Sequence, residues 1–360
     1  MPSNQNHKTT MNGHKDIVLA MEVMNSLAFP MTMRAIVDLE VLDIIAKAGE
    51  RAQLSTSEIA AQLATKNPEA ADMLDRMMRL LACHSILNCS ISIREDGKVE
   101  RLYGLEPVCK YYVKDKNGSS FAPCLALMQH PDLVQSWYHL KDAVLEGGVP
   151  FERAYGMQVF DYFNKKPDLI ELFHKFQFVY EASTDIFEVY TGFNSLKEVV
   201  DVGGGLGATI SAITAKYPNI KGINFDLPQV IEHAPSYPGV KHIGGDMFVS
   251  VPKGENIFMK FVLHNWDDQR CLALLKNCYE ALSDHGKVIV VDSILPLIPK
   301  DDAVSRVLCQ EDIYMMSQTT GGKERTEKEF EALAVGAGFA CFKMVCSTNI
   351  YWIMEFCKKV

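Results

Sequence analysis

An apolar strand that runs directly into closely spaced glycines is the feature that most constrains this chain. Residues 200–208 have the sequence VDVGGGLGA, with glycines at 203, 204, 205 and 207. Glycines let a chain turn sharply and approach a ligand without a Cβ, and the helix that follows presents free backbone amides. The segment therefore predicts a strand, turn and helix that bind a nucleotide-like cofactor.

The second half of the chain alternates strand-like and helix-like segments. Short apolar runs at 198–202, 220–225, 240–243, 256–263 and 287–291 are separated by helix-like stretches. This alternation predicts a doubly wound α/β sheet, with ligands beyond the carboxyl ends of parallel strands. Two further runs, at 339–347 and 350–357, predict a terminal hairpin that adds an antiparallel edge strand.

The first third of the chain is organised differently. Apolar residues recur at helical spacing over 17–48, and Pro30 is expected to divide this stretch into two helices. Ser55 and Glu58 form a capping-box pattern, another helix is predicted at 71–83, and an alternating run then turns at Asp96 and Gly97. This order predicts a winged-helix-like, mostly helical domain over 1–118, followed by a cofactor-binding domain over 119–360.

Composition disfavours several functional classes. The 360 residues carry a formal net charge of −9 without a block of Lys or Arg, which disfavours nucleic-acid and anionic-membrane partners. No apolar run approaches the roughly 18 residues of a membrane span, and no signal-peptide pattern begins the sequence. The ten cysteines never form a CxxC pair, so we expect reduced thiols in a cytoplasmic protein.

The glycine spacing distinguishes between two cofactor classes. A dinucleotide fingerprint requires GxGxxG, whereas Gly203, Gly205 and Gly207 alternate here. S-adenosylmethionine fits this spacing better, because its ammonium group and ribose hydroxyls need acceptors rather than a pyrophosphate cradle. We therefore predict S-adenosylmethionine as the cofactor.

Polar residues stand where the next strands should end. Asp226 is placed to accept the ribose hydroxyls, Asp246 and Met247 to hold and cover the adenine, and Lys260 follows the next strand. The alternative for each acid alone is a solvated loop carboxylate. Their succession at consecutive strand ends favours the cofactor site.

A histidine stands at the tip of the fourth predicted strand. Phenols have a pKa near 10 and are mostly protonated at neutral pH, so methyl transfer to one needs a base. Neutral His264 can take the phenolic proton, and Glu324 and Asp292 are candidates to orient its ring. The alternative is that His264 caps the following helix or packs in the core.

Several motifs together resemble one known family, the plant small-molecule O-methyltransferases of the caffeic acid type. They are VDVGGGLG, KGINFDLP at 221–228, YPGVKHIGGDMF at 237–248, GGKERT at 321–326 and IMEF at 353–356. The resemblance implies an intertwined homodimer, metal-free catalysis and His264 as the base. The cofactor-binding residues predicted from it and from the strand ends are Gly203, Asp226, Leu227, Asp246, Met247 and Lys260.

The sequence also departs from this family beside the histidine. The family usually has Asp after the histidine, whereas Asn265 stands here and cannot lend negative charge to an imidazolium. The flanking acid of the next strand is commonly Glu, and the shorter Asp292 takes its place. We therefore predict that Glu324 is the dominant orienting carboxylate.

The predicted acceptor pocket consists of Met128, Trp266, Glu311, Tyr314 and Met315. Met128 occupies a position that is Asn in caffeic-type enzymes. Glu311 either faces solvent or caps a helix, or it meets a cationic amine or ring hydroxyl of a bulkier acceptor. A flat aromatic ligand would suit the methionines, although such residues are more often plain core.

The sequence as a whole predicts a cytoplasmic, homodimeric O-methyltransferase that acts on a phenolic hydroxyl of a plant secondary metabolite resembling a phenylpropanoid. Three alternatives stay open. The acceptor could be an isoquinoline alkaloid, coumarin or lignan phenol; the chain could be a non-catalytic partner subunit of such an enzyme; or it could be a winged-helix regulator, which its acidity disfavours.

Overall fold

The computed structural model describes residues 4–93, 97–116, 118–182 and 186–359. The chain divides into two compact units, Met1–Gln129 and His130–Val360. The sequence-based boundary at 118 lies before helix Ala122–Met128, whereas the compact units separate after it. Among the helices that the structure describes, none combines the length and apolar character of a membrane span.

The N-terminal unit is mostly helical, and its small antiparallel sheet has the strand order β1-β3-β2. Its helices are α1 (Asn4–Asn25), α2 (Ala28–Asp38), α3 (Val41–Ala48), α4 (Thr56–Ala60), α5 (Ala70–Cys83) and α6 (Ala122–Met128), with a 3-10 helix at Pro107–Tyr111. Its strands are β1 (Leu54–Ser55), β2 (Leu87–Ile93) and β3 (Val99–Leu105). Buried side chains of α2, α3, α5 and β3 form its core.

The predicted break at Pro30 is wrong. Helix α1 ends at Asn25 and helix α2 ends at Asp38. Glu40, which has a φ of 56°, separates α2 from α3. Pro30 lies in the first turn of α2, where a backbone N–H has no acceptor within the helix and its absence costs little. Residues 17–48 therefore belong to three helices instead of two.

The capping box and the hairpin of this unit are confirmed. The Ser55 hydroxyl accepts from Glu58 N at 3.2 Å, and Ser55 N donates to the Glu58 carboxylate at 2.8 Å. Strands β2 and β3 pair antiparallel in the predicted place. Asp96 of the predicted turn lies outside the described residues.

The C-terminal unit contains a seven-stranded sheet with the order β6-β5-β4-β7-β8-β10-β9. The strands are β4 (Glu198–Val202), β5 (Lys221–Asp226), β6 (Val240–Gly244), β7 (Ile257–Lys260), β8 (Lys287–Ser293), β9 (Cys341–Thr348) and β10 (Tyr351–Cys357). The helices are α7 (Pro131–Trp137), α8 (Leu140–Glu146), α9 (Pro150–Tyr155), α10 (Val159–Asn164), α11 (Pro167–Ala182), α12 (Ile186–Val189), α13 (Ala208–Lys216), α14 (Pro228–Ile231), α15 (Asp268–Ala281), α16 (Ala303–Gln318) and α17 (Glu327–Gly336). Two 3-10 helices lie at Gly192–Ser195 and Leu263–Asn265.

The central strands are buried on both faces, as expected for parallel strands covered by helices. Val200 and Val202 pack in one core with α15 and α17, whereas Val199 packs on the other face with α13. Neighbouring strands from β6 to β8 pair parallel. The predicted doubly wound sheet is confirmed.

The terminal hairpin is confirmed, but the predicted position of its antiparallel strand is wrong. Strand β10 pairs antiparallel with β8 and with β9, so β10 is internal and β9 forms the edge. The two strands differ in burial: no residue of β10 is exposed, whereas β9 exposes alternate residues. The more apolar strand takes the inner place.

Candidate active site

Five of the predicted site residues lie along one edge of the large sheet. Because β4 to β8 are parallel neighbours, their carboxyl ends meet at the same edge. Along it, in the order of the strands, come Asp246, Asp226, Gly203, Lys260 and Asp292. The sheet thus gathers residues that are far apart in the sequence.

The glycine turn leaves an open backbone surface at the centre of this edge. Gly203 has a φ of 72°, and a Cβ there would lie 2.9 Å from Val262 Cγ2. Gly203 N donates to Phe225 O at 2.9 Å, and Gly205 N donates to Asp226 Oδ2 at 2.8 Å. The turn is therefore fixed against β5 and needs glycine at its first position.

The acids on the flanking strands order their own loops. Asp226 Oδ1 also accepts from Leu227 N at 2.7 Å, and burial raises the pKa of the Asp226 carboxyl while these backbone N–H groups oppose that shift. Leu227 is 42% exposed. Asp246 is exposed and accepts from Phe248 N at 2.8 Å, which places half-buried Met247 in a tight turn.

The edge from Gly203 to Asp246 fits a cofactor with a sugar and a cationic amine. It offers carboxylates at two strand ends and a backbone turn without a Cβ, rather than the row of free amides that a pyrophosphate needs. Lys260 ends β7, is buried, and places its Nζ 5.2 Å from the centre of the Phe261 ring.

His264 lies on the 3-10 turn that follows β7, and its Nδ1 faces two carboxylates. Glu324 Oε1 is 2.8 Å from Nδ1, and Asp292 Oδ1 is 3.7 Å from it. The Phe261 ring stacks on the imidazole with a centroid distance of 5.9 Å. The side chain of His264 is 14% exposed, and no hydrogen bond joins Nε2 to any described residue.

The acids around His264 change its proton affinity. Burial acts to lower the pKa of His264, but the carboxylates of Glu324, Asp292 and Glu311 outweigh burial and raise that pKa to about 9. Burial raises the pKa of Asp292 to about 7, against the pull of His264. Glu324 is 2% exposed, and its backbone N donates to Asp312 Oδ1 at 2.9 Å.

Asn265 does not contact the imidazole. Its Nδ2 donates to Phe261 O at 2.9 Å, across a turn in which Phe261 has a φ of 56°. A positive φ is costly for a residue with a large side chain. The Asn265 amide therefore holds the strained Phe261, three residues before His264, and an ionised Asp has no donor for this contact.

The predicted acceptor residues separate into groups. Tyr314 and Met315 are half-buried on α16, where the Tyr314 ring packs edge-on against Trp137 at 4.9 Å. The Trp266 ring packs edge-on against Phe248 at 4.8 Å. Met128 ends α6 in the N-terminal unit. Contact of these side chains with an acceptor stays a prediction.

Two sequence profiles match the chain. One is described as the O-methyltransferase domain and matches residues 137–340, and the other is described as the O-methyltransferase dimerisation domain and matches residues 21–115. The chain belongs to the O-methyltransferase family. The sequence-based prediction of a methyltransferase sheet joined to an N-terminal dimerisation domain is thereby confirmed.

Relatives and solved structures agree with this assignment. The chain is 53% identical to caffeic acid 3-O-methyltransferase of Medicago sativa over 345 residues, which is 95% of this chain and 94% of the relative. It is 52% identical to the Capsicum annuum protein of that name over 355 residues, 98% and 99% of the two chains. The fold matches human N-acetylserotonin methyltransferase, solved with S-adenosylmethionine, at a TM-score of 0.79 and 21% identity, covering 100% and 99% of the chains. The predicted S-adenosylmethionine-dependent O-methyltransferase of the caffeic acid type is confirmed.

One positioning residue of this O-methyltransferase was not predicted. Arg325 is fully buried, and it donates to Leu263 O at 2.8 Å and to Trp266 O at 2.7 Å, the carbonyls on either side of His264. It also contacts Asp268 Oδ1 at 2.8 Å. A charged residue directly after the candidate acid Glu324 was the available signal, although sequence alone does not show where its side chain points.

The loop before Glu324 packs directly on the turn of the histidine. Lys323 N donates to His264 O at 2.9 Å. A Cβ on Gly322 would lie 2.7 Å from the same carbonyl oxygen. Glu324 and His264 are thus held by contacts of the neighbouring backbone as well as by their side chains.

Proposed function

We propose that this O-methyltransferase transfers the methyl group of S-adenosylmethionine to a phenolic hydroxyl of a phenylpropanoid-like plant metabolite, with His264 as the general base. The observation that carries the proposal is the 2.8 Å contact between His264 Nδ1 and Glu324 Oε1, at the sheet edge that also holds Gly203 and Asp226. The names of the caffeic acid 3-O-methyltransferase relatives support the acceptor class.

The residues divide the chemistry between them. When bound, S-adenosylmethionine supplies an electrophilic methyl group on a sulfonium. Asp226, Asp246, Met247, Leu227 and Lys260 are proposed to hold it beside the glycine turn. These residues fit that role because they lie at adjacent ends of parallel strands.

His264 is proposed to move the proton of the acceptor. With Glu324 fixing a proton on Nδ1, the free nitrogen Nε2 takes the phenolic proton, and the carboxylate stabilises the imidazolium that results. Removal of such a base is typically worth about a hundred- to ten-thousandfold in rate. Asp292 supports this charge from 3.7 Å without direct contact.

We also propose that the protein is a homodimer in the cytosol. The match of residues 21–115 to a dimerisation domain supports a homodimer. The absence of a paired-cysteine pattern supports a reducing compartment such as the cytosol.

The test is an assay of the full chain with methyl-labelled S-adenosylmethionine and a panel of caffeate esters and aldehydes, flavonoids, coumarins, lignans and isoquinolines. We expect label on a phenolic oxygen of a phenylpropanoid, located by mass and NMR, and a loss of at least about a hundredfold in His264→Ala. His285→Ala, at an exposed histidine, is the matched control. Full activity of His264→Ala, or transfer to no phenol of the panel, would refute the proposal.

A further inference from the structure

Glu311 is an acid on α16 whose carboxylate is tied to the sheet on both oxygens. The Ser293 hydroxyl donates to Oε2 at 2.8 Å, and the Tyr351 hydroxyl donates to Oε1 at 3.3 Å. Ser293 and Tyr351 are directly opposite each other in the register of β8 and β10. The sheet therefore presents two hydroxyl donors side by side, and Glu311 spans them.

Each donor is next to a group that lies close to the proposed base. Ser293 follows Asp292, whose Oδ1 lies 3.7 Å from His264 Nδ1. The Tyr351 ring packs edge-on against Phe261 at 4.8 Å, and Phe261 in turn stacks on the imidazole. The rings of Tyr351 and Phe261 thus link the Glu311 carboxylate to the imidazole, and Ser293 ties it to the strand that carries Asp292.

We propose that Glu311 is a positioning residue for the base: its carboxylate, fixed by Ser293 and Tyr351, is a third negative charge that stabilises the His264 imidazolium formed when the acceptor loses its proton. This inference rests on the proposed role of His264 as the base. It gives Glu311 a role through His264 rather than the direct contact with a cationic amine or ring hydroxyl considered from the sequence.

The local charges show why a third carboxylate has an effect. Asn265 is neutral, so it adds no charge beside the imidazole. The Arg325 guanidinium, which contacts the turn, is directed to backbone carbonyls and Asp268 instead of the imidazole. The charged groups on the elements around His264 include Glu324, Asp292, Glu311, Asp312, Asp267, Asp268, Arg325, Lys323 and Lys260. Glu311 is among the groups that raise the pKa of His264, behind Glu324 and Asp292.

The experiment compares Glu311→Gln, which removes the charge, with Glu311→Asp, which keeps it. In the free protein labelled on histidine, the NMR titration of the His264 ring, assigned by its loss in His264→Gln, is expected to move to lower pH by at least about 0.5 in Glu311→Gln and by less in Glu311→Asp. Glu331→Gln removes an exposed acid from α17 and is expected to leave the titration in place.

Kinetics supply the second readout. The acid limb of kcat against pH is expected to move with the NMR titration in Glu311→Gln, while the acceptor KM stays within about twofold of the unsubstituted protein. An unmoved titration overturns the inference, and a large rise in acceptor KM without a change in titration assigns Glu311 to the acceptor instead. Because the NMR titration needs no turnover, it remains decisive even if the proposed reaction itself is refuted by His264→Ala.

Discussion

The Glu324 carboxylate lies 2.8 Å from Nδ1 of His264. Asn265, the next residue in the chain, instead donates to Phe261 O at 2.9 Å. Carboxylate and amide therefore contact different parts of the turn: the first contacts the ring, and the second contacts the backbone that carries the ring. The consequences of replacing them should differ in size.

We expect Glu324→Gln to lose at least about a hundredfold in kcat, because an amide can neither hold the ring tautomer reliably nor stabilise the imidazolium. Asn265→Ala, the matched variant, removes one hydrogen bond to the backbone and is expected to lose about tenfold or less. Steady-state kinetics of both variants on the same acceptor measure this, and comparable losses would contradict the ranking.

The dependence of rate on pH follows from the pKa of His264. Only the neutral imidazole accepts a proton, and the surrounding carboxylates raise the pKa of His264 to about 9. We therefore expect kcat/KM to rise about tenfold for each pH unit below 9 and to level off above it. The acid limb of kcat/KM against pH must be the same for two acceptors with different phenolic pKa values, because it reports His264. A profile that is already level at pH 7 would show that His264 is neutral at that pH.

The role proposed for Asp226 can be tested by cofactor binding without an acceptor. Its two oxygens accept from Gly205 N and Leu227 N, so Asp226→Asn places a second donor against one of these N–H groups. We expect the Kd of S-adenosylhomocysteine, measured by calorimetry, to rise at least about tenfold. Glu232→Gln, an exposed acid just beyond α14, serves as the control, and equal Kd values for the two variants would remove Asp226 from the site.

Arg325 is expected to matter for folding as well as for rate. Arg325→Met leaves the carbonyls of Leu263 and Trp266 without their buried donor, and we expect it to lower the free energy of unfolding by about 3 kcal/mol. Arg306→Met, at a mostly exposed ion pair, is expected to change it by less than about 0.5 kcal/mol. Urea denaturation measures the free energy of unfolding of both variants. An Arg325→Met variant as stable as the unsubstituted protein would show that the turn does not depend on the guanidinium.

Chelation tests the expectation of metal-free catalysis. Within the described chain, His264, Asp292 and Glu324 form a group whose possible ligand atoms lie within 4.8 Å of one another. However, a 2.8 Å contact between Nδ1 and Glu324 is a hydrogen-bond distance, and metal ligation would need both groups to turn toward an ion. We expect EDTA followed by gel filtration to leave kcat unchanged, whereas loss restored by a divalent ion would establish a metal role.

The strand ends could be predicted from the sequence because they depend on local pattern. Glycines after an apolar run, and acids after the next runs, specify where β4, β5 and β6 stop, and parallel pairing then gathers them. The end of β7 was predicted three residues too late, since the apolar character continues after Lys260. The positive φ of Phe261 ends the strand there, and a phenylalanine in the sequence does not predict a positive φ.

The site contacts that could not be predicted join residues far apart in the sequence. Glu324 could be paired with His264 because a resemblance placed both in one site, but the guanidinium of Arg325 could not be assigned to the Leu263 carbonyl in that way. The hydroxyls of Ser293 and Tyr351 become neighbours only when β10 is inserted beside β8. That insertion was itself predicted at the wrong place, because the relative burial of two hairpin strands is a property of the whole sheet.

Gly322 stands at a position where any side chain would collide with the turn that carries His264. A Cβ at this position would lie 2.0 Å from Thr319 Oγ1 and 2.7 Å from His264 O. Even a methyl group would push the segment that ends in Glu324 away from the His264 ring. We therefore expect Gly322→Ala to lower the rate, although residue 322 itself carries no functional group.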